Sequence, residues 1–338
     1  MKKTFVILFA LCLLAAIPAN AQLKFGVKAG TNLVDKPSGN LDSYTDAKGY
    51  TGFYAGAMAQ FTLPIVGLGV EADVLYSQSG SEIGGDKVGS IVRTFLTDNG
   101  VDDRFLTEYP DCKSPISLAF LDENNNATYS FYKEPFKSTV NWECPTIERD
   151  DIILFGSYYA LNPDMRYKVT ALLDEARRAG AIIYYDVNFR RNHAGEAIKL
   201  MGSVIENLEY ADIVKGSDED FEVLYHISEG AKVFKEKVDF YCPRLIYSRG
   251  AKGVELYSRT LTKQYSIEPV TPVSTIGAGD NLNAGILYGL IKYRVRRDDL
   301  DQLSEHDWDD IIRCGLEFAA ETCLQADNYI SREFASRM

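Results

Sequence analysis

Two hydrophobic rhythms divide the chain. Near the start, Leu23, Phe25, Val27 and Ala29 alternate with Lys24, Gly26, Lys28 and Gly30, and Val70, Ala72, Val74 and Tyr76 are interleaved with Glu71, Asp73 and Leu75. Residues 53–61 are a further candidate. A two-residue period places one apolar face on an extended chain, so these segments are predicted to be β-strands. Further along, short unbroken apolar runs at residues 152–155, 181–185, 213–214 and 245–247 are of the kind buried in parallel sheets. Helix-period segments at 165–179, 197–208 and 220–224 lie between them. This alternation predicts an α/β fold with a doubly wound, mostly parallel sheet and ligands outside the carboxyl ends of its strands. Residues 117–122 and 127–133, flanking the polar run Glu123, Asn124, Asn125, Asn126, predict a hairpin.

The first eighty residues carry a different message. Lys2 and Lys3, an apolar stretch over 5–17 and Ala19-Asn20-Ala21 form the three regions of a secretory signal peptide, residues 1–21. The apolar stretch falls short of the ~20 residues that span a bilayer, so export is expected rather than a permanent membrane helix. The strands in residues 22–80 resemble the opening strands of small outer-membrane β-barrel proteins, with an ordinary soluble hairpin as the alternative. About three strands cannot close a barrel, which takes about eight. Membrane association is expected only if this fragment is genuine.

Composition narrows the partners. Thirty-six basic against 48 acidic residues give a net charge of −12, which argues against a nucleic-acid partner because a phosphate backbone requires a basic face. A hydrophobic content of 46% over 338 residues supports a sizeable core. The six cysteines, Cys12, Cys112, Cys144, Cys242, Cys314 and Cys323, show no Cys-x-x-Cys spacing, so neither zinc nor a disulfide framework is indicated. Scattered thiols suit a reducing cytoplasm and conflict with the exported N-terminus. His193, His226 and His306 each adjoin polar residues and read as surface or loop positions.

The chemistry concentrates at Ser274-Thr275-Ile276-Gly277-Ala278-Gly279-Asp280, followed at once by an apolar helix over 282–290. Small residues opening a helix let backbone N–H groups crowd around an anion, and the helix dipole adds positive potential there. Asp280 is placed to take a proton from a hydroxyl aimed at the same phosphate, which predicts phosphoryl transfer to an alcohol. Helix N-capping is the bland alternative for Asp280.

With Ala284 and Gly285 added, this run resembles the C-terminal signature of the ribokinase-like (PfkB) carbohydrate kinases, and the resemblance extends from about Ser81 to the C-terminus. The family's Asp-x-Asn-x-Arg is matched by Asp186-Val187-Asn188-Phe189-Arg190, its nucleotide loop by Ser248-Arg249-Gly250-Ala251-Lys252-Gly253. Its Asn-x-x-Glu is replaced by Lys215-Gly216-Ser217-Asp218-Glu219-Asp220, which keeps an oxygen donor and a carboxylate but alters the metal's water network. The stretch Phe155-Gly156-Ser157-Tyr158-Tyr159 is most similar to fructokinase-type members.

The resemblance implies ATP-dependent phosphorylation of a sugar hydroxyl, with Asp280 as base and Gly277, Ala278 and Gly279 as anion hole. It further implies ATP binding by Ser217, Ser248, Gly250, Lys252 and Gly253, and substrate binding by Ser157, Asn188 and Arg190. Magnesium would be held by Asp220 through water, a monovalent cation is a further candidate cofactor, and the hairpin would be a small β lid able to serve a homodimer. Asp186 and Asn188 have turn capping as their alternative role. The family's opening strand and its Gly-Gly-x-x-x-Asn sugar segment find no match here, while Gly84-Gly85-Asp86-Lys87-Val88-Gly89 is similar to a turn after a later core strand. The expectation is therefore a ribokinase-like domain over 81–338, N-terminally truncated, joined at Gly80/Ser81 to a barrel-like fragment. Two alternatives stay open: a catalytically inactive fusion, and a nucleoside kinase.

Overall fold

The computed structural model describes residues 23–33, 51–63, 68–78 and 82–338 apart from 104–105, 115, 122–126, 133–143, 164, 190, 269, 276 and 326–328. The expected signal peptide, the Gly80/Ser81 junction, the 123–126 turn and Arg190 lie outside the described residues. The three N-terminal strands form where alternation predicts them: β1 (Leu23–Leu33), β2 (Thr51–Leu63) and β3 (Leu68–Gln78) make one antiparallel sheet in that order. A parallel pair follows, β4 (Glu82–Gly84) with β5 (Thr107–Tyr109), joined through helix α1 (Lys87–Asp98). Asp86 caps α1 by accepting from the Gly89 N–H at 2.9 Å, so Gly85 and Asp86 bend the chain from the end of β4 straight into α1. The expected hairpin is β6 (Ile116–Leu121) paired antiparallel with β7 (Ala127–Tyr132).

The main sheet begins at β8 (Ile152–Gly156) and continues through α2 (Ser157–Leu161), α3 (Arg166–Ala179), β9 (Ile182–Asp186) and α4 (Ala197–Tyr210). It goes on through β10 (Ile213–Ser217), α5 (Asp218–Tyr225), α6 (Gly230–Val233) and β11 (Arg244–Ser248). These four strands are parallel neighbours in sequence order. Strands β12 (Val254–Ser258) and β13 (Thr262–Tyr265) extend the sheet antiparallel, and α7 (Ala278–Lys292), α8 (Glu305–Cys323) and the short α9 (Arg332–Ala335) complete the chain. Among the described residues no helix is long and apolar enough to cross a membrane.

Both faces of this sheet are buried, which explains its unbroken apolar runs. In β9, Ile183 and Tyr185 pack on one side with Leu173 of α3, Val204 of α4 and Phe221 of α5. Ile182 and Tyr184 point the other way, toward Leu282 and Ile286 of α7 and Trp308 and Ile311 of α8. The same alternation carries Asp186 and, in β10, Lys215 to the α7 side of the sheet at its carboxyl end. This side-to-side assignment positions the site described below.

The α7–α8 contact depends on small residues. A Cβ on Gly285 would stand 2.4 Å from the Cys314 carbonyl oxygen and 2.7 Å from the Gly315 Cα, so the backbones touch where the signature's Ala-Gly pair lies. Gly202, midway along α4, is exposed and has nothing within 4 Å of its missing Cβ. Gly285→Val is therefore expected to destabilise the protein by about 2 kcal/mol or more through forced separation of the helices. Gly202→Ala should instead stabilise it by about 0.5–1 kcal/mol through lost unfolded-state entropy. Thermal unfolding of both variants checks the pair.

Candidate active site

Two strand ends and one helix N-terminus converge on one cleft. Its lining includes Leu154, Phe155, Gly156 and Ser157 from the end of β8, Asp186 and Asn188 from the end of β9, and Asp280 and Asn283 from the first turns of α7. Ser157 and Asn188 are 7% and 8% exposed and have φ of +54° and +35°. Two side-chain-bearing residues in the left-handed region lining one cleft are the kind of local strain that collects at functional sites.

Helix α7 starts at Gly277, which occupies the left-handed region at φ +81°, where a Cβ would be strained. The Asn281 N–H and side-chain amide both donate to the Gly277 carbonyl, at 2.9 and 3.0 Å. The Ala278 N–H donates to the Thr275 carbonyl at 3.3 Å, whereas Gly279 is exposed at the helix opening. Asp280 is half-buried and faces the cleft.

Beneath the cleft lies a buried polar network that the residue patterns did not single out. The Lys215 Nζ donates to Asp186 Oδ1 at 3.1 Å, and the Asn283 Nδ2 donates to Asp186 Oδ2 at 2.8 Å. The Tyr184 hydroxyl donates to Asn283 Oδ1 at 3.1 Å. Burial, reinforced by the Asp186 charge, pushes the Tyr184 hydroxyl well above its ordinary range, so it stays a donor. For Lys215 burial works against the ammonium, but the Asp186, Asp220 and Asp280 charges outweigh it and hold the group above its usual value. Two signals could have found this network: a lysine inside a doubly buried strand, and an asparagine one turn after Asp280 on an otherwise apolar helix face.

Ser217 and Asp220 come together as a capping box at the start of α5. The Ser217 Oγ accepts from the Asp220 N–H at 3.2 Å, and Asp220 Oδ2 accepts from the Ser217 N–H and hydroxyl, both at 2.7 Å. Burial pushes the Asp220 carboxyl up, with the Lys215 charge and the Ser217 hydrogen bonds pulling the other way. Ser248 is the cross-strand neighbour of Ser217, so the expected nucleotide residues start side by side at the carboxyl ends of β10 and β11. Gly250 and Lys252 form an exposed turn that closes through the Arg249 N–H on the Gly253 carbonyl at 2.9 Å. One reading is corrected. His193 is no surface residue but is 3% exposed, stacked on Tyr158 with ring centroids 4.0 Å apart.

With this geometry in view, similarity to known proteins identifies the chain's family. The model of the pfkB family carbohydrate kinase matches residues 65–333. The chain belongs to that family. The match starts upstream of Ser81 and takes in β3. Fructokinase of Vibrio alginolyticus is 23% identical over 215 residues, covering 62% of this chain and 69% of the relative. Among solved structures, fructokinase from Vibrio cholerae in a fructose-, ADP- and calcium-bound form aligns with a TM-score of 0.62 at 23% identity, over 74% of this chain and 79% of that one. Aminoimidazole riboside kinase from Salmonella enterica, complexed with aminoimidazole riboside and an ATP analog, aligns with a TM-score of 0.64 at 20% identity, over 76% and 88%. The ribokinase-like α/β fold of these kinases is the fold of this chain.

The network makes Asn283 the link between helix and sheet. Asn283→Leu strips a partner from the Asp186 carboxylate and from the Tyr184 hydroxyl, each a buried group whose orphaning costs about 1–3 kcal/mol. The expected outcome is a lower urea midpoint with an unchanged slope, read from equilibrium unfolding.

Proposed function

We propose that this chain is an ATP-dependent kinase that phosphorylates a sugar hydroxyl, with fructose-like ketoses as its first acceptor class. The observation that carries the reading is Asp280 facing the cleft from the first turn of α7, immediately after the left-handed Gly277. Membership of a carbohydrate kinase family, and the fructokinases among the relatives, give the acceptor class.

In this reading the acceptor hydroxyl lies between Ser157 and Asn188 on one side and Asp280 on the other. Asp280 accepts the hydroxyl proton as the oxygen attacks the γ-phosphorus. Gly277, Ala278 and Gly279 form the helix opening, where first-turn amides and the helix dipole stabilise charge on the moving phosphoryl group. Gly279 is the open member of that set, because the Ala278 amide already bonds Thr275. The nucleotide tail runs along the carboxyl ends of β10 and β11, past Ser217 and Ser248 to the turn at Gly250, Lys252 and Gly253. Magnesium neutralises phosphate charge when bound with the nucleotide. Asp220 fits that ion only through water, because its Oδ2 is engaged by Ser217 and the residue is 5% exposed.

The test is Asp280→Asn. With ATP and fructose it should lower kcat by roughly 10²–10⁴-fold, the range for loss of a general base, with a much smaller change in the ATP KM. ADP release in a coupled assay measures it. Equal turnover by variant and unsubstituted protein would overturn the assignment. Transfer to a riboside in place of fructose would move the acceptor to nucleosides, and no transfer to either would favour the inactive alternative.

A further inference from the structure

Lys215 is a group that the mechanism above does not use. It is 5% exposed and lies on a strand whose neighbouring residues Ile213 and Val214 are fully buried. Burying an ammonium is unfavourable unless carboxylates surround it. Three do, each from a different element: Asp186 from β9, Asp220 from α5 and Asp280 from α7. Its direct bond is to Asp186 Oδ1, and the other oxygen of that carboxylate holds Asn283, one turn beyond Asp280. From the other direction, the Nζ stands 3.6 Å from the point where a Cβ on Gly279 would be, directly beneath the helix opening. The ammonium is thus under the first turn of α7 and joined to its second through Asp186 and Asn283.

We propose that Lys215 is a positioning residue for phosphoryl transfer, a buried cation that gathers Asp186, Asp220 and Asp280 around one positive charge and fixes the first turn of α7 against the cleft. The proposal rests on the kinase reading above and adds a residue to it. The physical need is plain. Three carboxylates gathered where a polyphosphate must arrive would repel both one another and the ligand, and a fixed cation beneath them offsets part of that repulsion without blocking the cleft. The lysine acts through Asp186 and Asn283, so removing it should disturb the geometry of transfer more than the binding of either substrate.

The experiment compares Lys215→Met, which keeps length and loses charge, with Lys215→Arg, which keeps charge, both in the full chain. Expected for Lys215→Met is a fall in kcat of about 100-fold with the KM for ATP and for fructose changed by less than about 3-fold, and partial recovery of kcat in Lys215→Arg. A second readout does not depend on activity. Lys215→Met leaves the buried Asp186 carboxylate without its ammonium, whereas Lys215→Arg keeps a cation there, so the thermal midpoint should fall in the first variant and be partly restored in the second. No gap in thermal midpoint between the two variants would show that charge at position 215 does not hold the carboxylates together and would overturn the ion-paired unit. Undiminished kcat in Lys215→Met, with an active unsubstituted protein, would overturn the positioning role while leaving the kinase reading intact. An unsubstituted protein that phosphorylates no acceptor would overturn the kinase reading and the positioning role together, while the thermal gap would still decide the ion-paired unit.

Discussion

Holding the Lys215 ammonium and the Asp186 carboxylate 3.1 Å apart beneath the cleft takes both ions out of water, at an effective cost of several kcal/mol per ion. Their attraction offsets that cost only when the remaining hydrogen-bonding positions are filled. Asn283 fills one on Asp186, and Tyr184 in turn satisfies Asn283. The pair therefore requires α7 to sit where it does, and α7 can sit there only because Gly285 and Gly315 let α8 come close behind it. Sheet, helix and charge network impose a single arrangement on the residues lining the cleft. Break one and the others lose their partners.

The arrangement also explains why the chemistry lies at the strand ends. A sheet covered on both faces admits few polar side chains along its length, Lys215 being the exception that the site uses, so Ile182, Tyr184, Ile213 and Ile246 fill one side and Ile183, Tyr185, Val214 and Leu245 the other. Polarity begins where each strand leaves this sandwich: at Ser157, Asp186, Asn188 and Ser217. Parallel order through β8, β9, β10 and β11 brings those exits to one edge. The antiparallel β12 and β13 then carry the chain back, and α7 enters the same edge from the second face.

Much of this was legible in the residue pattern because burial on two faces writes itself as uninterrupted apolar runs. The four parallel strands, the longer helices α3, α4 and α5 between them and the β6–β7 hairpin lie where periodicity puts them, though β10 runs three residues past its apolar pair and the short α2 and α6 were not read. Strand β13 was not read, because Thr262, Lys263, Gln264 and Tyr265 form an edge strand with mostly polar side chains, and β12 was not read although Val254, Leu256 and Tyr257 are buried in it. Helix α8 was not predicted from the apolar pattern, although Trp308, Ile311, Ile312 and Phe318 face inward along it. His193 was misread because its polar sequence neighbours say nothing about Tyr158, which is distant in sequence and covers its ring.

The site divides along the same line. Asp280 and the glycines before it were legible because a tight helix opening needs small residues, a local requirement visible in consecutive letters. Lys215 and Asn283 were not, because each has meaning only through a partner on another element, and a one-residue difference in strand register would have turned Lys215 to the opposite face, away from Asp186's other partner. Gly285 shows the reverse case. It was read as part of the family's C-terminal signature, and its missing Cβ faces Cys314 and Gly315, so the close approach of α8 accounts for a glycine there. A motif that marks one function can thus contain positions set by packing. The contact each residue makes in the fold, rather than its place in the motif, separates the two.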